Sequence, residues 1–157
     1  MVLIEEELSE LLIAHKLTLA TAESCTGGLI ANLITNVSGS SKYFERGLIT
    51  YSNDSKIELL NVPLKTIERF GAVSEEVAIA MARGVRELAR TDLGLAVTGI
   101  AGPTGGTPEK PVGLVYIALA SENKVKPFKF NFQGNRLEIK QQTANTALEI
   151  VIDHLKQ

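Results

Sequence analysis

The chain has 157 residues, 45% hydrophobic and 22% charged, with a formal net charge of −2. That suits one soluble domain with a sizeable core, and the near-neutral charge without a basic stripe excludes an electrostatic surface for nucleic acid. No apolar run approaches the ~18 residues of a membrane helix, the acidic start Met1–Glu7 lacks a basic signal-peptide region, and the lone Cys25 excludes an internal disulfide or a multi-cysteine zinc site, so a cytoplasmic enzyme or binding protein is expected.

Ile4, Leu8, Leu11 and Leu12 lie on one face of a helix predicted over 3–15. A short strand at 17–22 leads into the turn Thr21–Gly28, and a helix follows at 27–36. The β-branched and aromatic residues of Phe44–Tyr51 predict a strand. Asn53, Asp54 and Ser55 suit the cap of a helix over 54–60, and Pro63 suits the first turn of another over 63–69. Ser74-Glu75-Glu76 reads as a helix start, with Val77, Met81, Val85 and Leu88 in helical register. The continuous apolar run Leu93–Thr98 fits a strand buried on both faces. Strands at 112–121 and 125–132 form a hairpin through Glu122-Asn123-Lys124, and a last helix covers 135–155. Early helix–strand alternation followed by a late hairpin predicts a single domain over 1–157: a three-layer α/β/α sandwich with a mixed, mostly parallel sheet.

Two glycine-rich loops each follow an apolar strand. In such sheets ligands bind beyond the carboxyl ends of strands, so both loops can line one crevice. The first brings Ser24, Cys25, Thr26, Gly27 and Gly28; the second brings Thr98, Gly99, Gly102 and Thr104. The stretch Gly99–Pro111 is longer than a simple connection needs. The protein has only two histidines, His15 and His154, neither at metal-ligand or triad spacing, so a hydrolytic base has to be Lys or Tyr. Tyr51 ends a predicted strand and Lys56 lies early in the next helix; a lysine among apolar groups loses its proton more readily. The residues thus suggest Ser24 as nucleophile and Lys56 as base, directly or through Tyr51, with backbone amides around Gly27 for the oxyanion. Cys25 is the rival nucleophile, or a small buried hydrophobe.

Together the segments "TAESCTGG" (21–28), "SGSSKYFERGLITYSNDSK" (38–56), "GAVSEEVA" (71–78) and "TGIAGPTGGTPEKPVGLVYIA" (98–118) resemble the C-terminal domain of the competence/damage-inducible CinA family. The likeness runs from about residue 3 to 155, and it is to the stand-alone form, since 157 residues leave no room for the family's N-terminal molybdopterin-binding-like domain. The resemblance implies a nicotinamide-nucleotide amidase that converts nicotinamide mononucleotide to nicotinate mononucleotide and ammonia. It implies Ser24 as nucleophile, Tyr51 and Lys56 as acid/base residues, Thr98 in the amide pocket, no metal or organic cofactor, and a homodimer or larger homo-oligomer. The substrate phosphate is assigned to Arg136, which shares a helix face with Lys140. A non-catalytic pyridine-nucleotide-binding or regulatory module is the alternative; it needs the loops but not Lys56.

Overall fold

The computed structural model describes residues 1–157. Its helices are α1 (Ile4–His15), α2 (Leu29–Thr35), α3 (Asn53–Leu60), α4 (Leu64–Phe70), α5 (Glu75–Ala89) and α6 (Arg136–Leu155). Its strands are β1 (Leu19–Glu23), β2 (Phe44–Ile49), β3 (Leu93–Gly99), β4 (Leu114–Ala120) and β5 (Val125–Asn131), in the spatial order β2-β1-β3-β4-β5. β2, β1 and β3 pair in parallel, and β4 is antiparallel to both β3 and β5. Only β4 therefore runs against the rest, which gives the mixed, mostly parallel sheet expected.

The two faces of the sheet carry residues of different size. Leu19, Leu93, Leu95, Val97, Val115, Ile117 and Leu119 pack into a core with α1, α2 and α6. Ala20, Ala22, Ala96, Ala118 and Ala120 face the opposite way, against α3, α4 and α5. The two-residue strand period produces this sorting. Alanines let α5 lie close to the sheet, and Gly84 lets α3 lie close to α5: a Cβ there would stand 2.0 Å from the Leu60 carbonyl oxygen. The third layer is thus held tightly to the sheet, and α3 carries Lys56.

Several element ends differ from the sequence expectation, each for a local reason. β1 is shifted toward the C-terminus and includes Glu23, which pairs with Ile49 and Val97 on its two sides. α2 starts at Leu29 because Gly27 (φ 59°) and Gly28 (φ 106°) occupy left-handed backbone that cannot belong to a helix. β2 stops at Ile49, so Tyr51 lies past the strand; Ser52 caps α3 by accepting a hydrogen bond from the Ser55 amide at 3.0 Å. Pro63 caps α4 from outside its first turn. The hairpin strands are shorter than 112–121 and 125–132 because Gly113 turns the chain and its amide bonds Ile100. Asn135 caps α6, with Glu138 reaching back to its amide.

Candidate active site

The chain leaves β1 for α2 on one face of the sheet and leaves β2 for α3 on the other. The adjacent strands therefore part at their carboxyl ends, the position at which open α/β sheets hold ligands. Strand parity then separates two neighbouring residues. Glu23 shares the Leu19 side and points toward α2, while Ser24 emerges on the side of α3.

Lys56 meets Ser24 there. It is 1% exposed, and its Nζ donates to the Thr50 carbonyl at 2.7 Å, the Tyr51 carbonyl at 3.1 Å and Ser24 Oγ at 3.0 Å. Burial pulls its pKa down to about 8 from the ordinary 10.5, with Cys25 acting weakly the other way. The two carbonyls hold two N–H groups, and the remaining tetrahedral direction of the nitrogen faces the serine. A neutral amine so held directs its lone pair at the Ser24 hydroxyl.

Cys25 is buried, and that burial pushes its thiol up to about 12, outweighing a backbone hydrogen bond and, after it, the charges of Lys56 and Lys140, all of which favour the thiolate. A thiol that stays protonated at neutral pH is a poor nucleophile. Of the two candidates, Ser24 is the one with a base in contact.

Ser24, Tyr51, Lys56, Thr98, Gly99 and Arg136 line one cavity of about 200 Å³. That volume suits a small ring or acyl group better than a whole nucleotide. Cys25, Asn53 and Ala101, with Ala72 and Val73 of the segment before α5, complete it, and the Thr98 hydroxyl donates to the Ala72 carbonyl at 2.9 Å. Arg136, at the start of α6, donates to the Gly102 carbonyl at 2.7 Å and to Tyr51 Oη at 3.3 Å. Gly102 thus serves through its carbonyl, outside the cavity lining. Lys140 reaches the turn between β1 and α2, with Nζ 3.7 Å from where a Cβ on Gly27 would stand. A larger cavity of about 380 Å³ between α3, α4 and α5 holds Leu60, Phe70, Ile79 and Arg83 but none of these groups.

Three expected binding residues are placed differently. The Thr26 hydroxyl and the Gly28 amide both donate to the Glu23 carboxylate, and the Gly27 amide donates to the Ser24 carbonyl at 3.2 Å. None of the three lines the cavity, and the amides of Gly27 and Gly28 are not free for an oxyanion. The turn amides without a protein acceptor are those of Cys25 and Thr26. Sequence reasoning missed Glu23, although an acidic residue beside the first turn of a helix was the available signal. It also missed the carbonyls of Thr50 and Tyr51, which no side-chain pattern reports.

The family model described as the CinA C-terminal domain matches residues 2–155. A "CinA-like protein" of Citrifermentans bemidjiense is 56% identical over 145 residues, which make up 92% of this chain and 35% of that protein. A "CinA-like protein" of Kosmotoga olearia is 53% identical over 148 residues, 94% of this chain and 36% of the relative. The chain thus spans about a third of the length of these relatives. Among solved structures, the competence/damage inducible protein CihA from Agrobacterium tumefaciens superposes with a TM-score of 0.93 at 43% identity, covering 100% of both chains. The competence damage-inducible protein A of Klebsiella pneumoniae gives a TM-score of 0.95 at 30% identity, covering 98% of this chain and 96% of that one. With its family motifs placed around one crevice and its fold matched end to end, the chain belongs to the CinA C-terminal domain family.

Proposed function

We propose that the protein is an amidohydrolase that converts nicotinamide mononucleotide to nicotinate mononucleotide and ammonia through a Ser24–Lys56 pair. The observation that carries the reaction type is the placement of Lys56 Nζ, tied to two carbonyls and 3.0 Å from Ser24 Oγ. The substrate follows from the resemblance of the four motifs to nicotinamide-nucleotide amidases.

Neutral Lys56 takes the Ser24 proton as Oγ adds to the carboxamide carbon. Negative charge collects on the carboxamide oxygen, and the amides of Cys25 and Thr26 are the donors of the turn left without a protein acceptor. The C–N bond then breaks, and the leaving nitrogen receives a proton from the Lys56 ammonium, directly or through Tyr51, so that ammonia departs. Tyr51 Oη accepts from Arg136, which leaves its own O–H free to donate. Water, deprotonated by Lys56, attacks the Ser24 ester; carboxylate and free serine are restored. The pyridinium charge of the substrate makes its carboxamide a better electrophile than a neutral one. Arg136 retains guanidinium donors beyond those used on Gly102 and Tyr51, and with Lys140 it offers positive charge for the phosphate.

Ammonia release from nicotinamide mononucleotide by the purified protein between pH 6 and 9 is the direct test. Folded wild-type protein that releases none refutes the reading.

A further inference from the structure

Glu23 is the buried charged group that the reaction above does not use. It is 1% exposed and immediately precedes Ser24. Its Oε1 accepts from the Thr26 hydroxyl, the Gly28 amide at 3.2 Å and the Ile30 amide at 2.9 Å; its Oε2 accepts from the Ala31 amide at 3.0 Å. Four donors converge on one side chain, and no acceptor does. That pattern suits the acceptor oxygens of a carboxyl side chain. The amides of a helix's first turn ordinarily attract an anion. Here the protein supplies that anion from within.

We propose that Glu23 is the positioning residue of the nucleophile turn: by binding Thr26 and the first amides of α2, it fixes the turn on the strand and leaves only the Cys25 and Thr26 amides for the reacting oxygen. The proposal rests on the Ser24 reading above. Its geometric basis is the tether itself. Ser24, Cys25 and Thr26 are held at one end by the strand, through the Ser24 amide on the Val97 carbonyl at 3.2 Å, and at the other by the Glu23–Thr26 contact. Of the turn's other residues, Cys25 is packed into the core, and Gly27 and Gly28 carry no side chain.

The test uses Glu23→Gln, Thr26→Val and Thr26→Ser. Glutamine keeps the shape but sets an NH₂ group against backbone N–H groups. Valine keeps the volume of Thr26 without its hydroxyl, whereas serine keeps the hydroxyl without the methyl. Two rates are measured on protein shown folded by thermal unfolding: phosphonylation of Ser24 by a fluorophosphonate, followed by intact mass, and turnover of nicotinamide mononucleotide. Glu23→Gln is expected to slow both about 10²-fold with KM within about threefold, as misplacement of reacting groups does. Thr26→Val is expected to slow both about tenfold, and Thr26→Ser to stay within about threefold.

A folded Glu23→Gln within twofold of wild type overturns the proposal. So does the reverse order at position 26, Ser slower than Val, because that order reports packing. If Glu23→Gln does not fold, the Thr26 pair decides. Wild type that is phosphonylated at Ser24 yet releases no ammonia refutes the substrate and leaves the role of Glu23 to be read from the phosphonylation rates. A Ser24 inert in both assays overturns both readings.

Discussion

The sharpest quantitative consequence concerns the proton on Lys56. Its pKa, about 8, is lowered chiefly by burial. The base must be neutral to accept the Ser24 proton, so activity rises with pH and levels off above the pKa of the free enzyme. With a pKa of about 8, the neutral fraction is about a tenth at pH 7 and about nine-tenths at pH 9, so kcat/KM should climb roughly tenfold and then flatten. An ordinary lysine near 10.5 would instead give a climb of nearly 100-fold over the same interval, with no plateau. The substrate's phosphate titrates near pH 6 and its carboxamide does not titrate, so the window from 7 to 9 reports on the enzyme. Stability follows the same sign: between about 8 and 10.5 the unfolded chain holds a proton that the folded chain has released, so stability rises with pH there. The assay is initial-rate ammonia release across pH 6.5–10, repeated with Lys56→Arg, whose guanidinium cannot shed a proton and should lose ~10³-fold. A flat profile from 7 to 9, a midpoint near 10.5, or an arginine variant with more than a tenth of wild-type activity would each refute the assignment.

Ser24→Ala should lose ~10³-fold or more in kcat, whereas Cys25→Ala should remain within about tenfold; the reverse outcome moves the nucleophile to the thiol. Arg136→Ala should raise KM for nicotinamide mononucleotide about tenfold or more but change it little for the phosphate-free riboside, and equal effects on both would remove the phosphate role. Gly84→Ala should lower stability by about 1–3 kcal/mol, because its Cβ meets the Leu60 backbone carbonyl rather than a side chain that can swing away. At roughly 2–4 °C per kcal/mol for a chain of this size, thermal unfolding measures it, and an unchanged midpoint would show that α3 and α5 part without strain.

The sequence displayed the fold well, because hydrophobic period is a property of the chain itself. The continuous run Leu93–Thr98 and the helical spacing of Val77, Met81 and Val85 translate directly into β3 and α5. The ends were less legible. Gly27 and Gly28 read as a helix start but adopt left-handed backbone, a choice made by the tight exit from β1. At the site, Ser24, Cys25, Tyr51, Lys56, Thr98 and Arg136, which line the cavity, were visible from residue type and order, whereas Asn53 read only as a helix cap. What was hidden depends on contacts between distant segments or on the main chain. The Thr50 and Tyr51 carbonyls that orient Lys56 carry no side-chain signature. The direction in which Glu23 points depends on strand parity, and the strand expected over 17–22 stopped short of Glu23, which β1 includes.

That parity sorts two neighbouring residues into different layers of the fold. Successive extended residues face opposite sides, and Ser24 follows the last residue of β1 with its amide still on the Val97 carbonyl, so Glu23 and Ser24 go to different layers. Glu23 enters the layer of α2 and binds its first amides; Ser24 enters the layer of α3 and meets Lys56. A carboxylate and an amine that would pair in a single pocket are thereby kept on separate partners. Lys56 has no acidic neighbour among its hydrogen-bond partners, only carbonyls and the serine. A carboxylate on Lys56 would hold its proton and raise its pKa. Carbonyl partners in a buried setting leave desolvation to act nearly alone, and desolvation favours the neutral amine. Moving the acid by one position, to the Ser24 side of the turn, would therefore remove both the tether of α2 and the low pKa of the base.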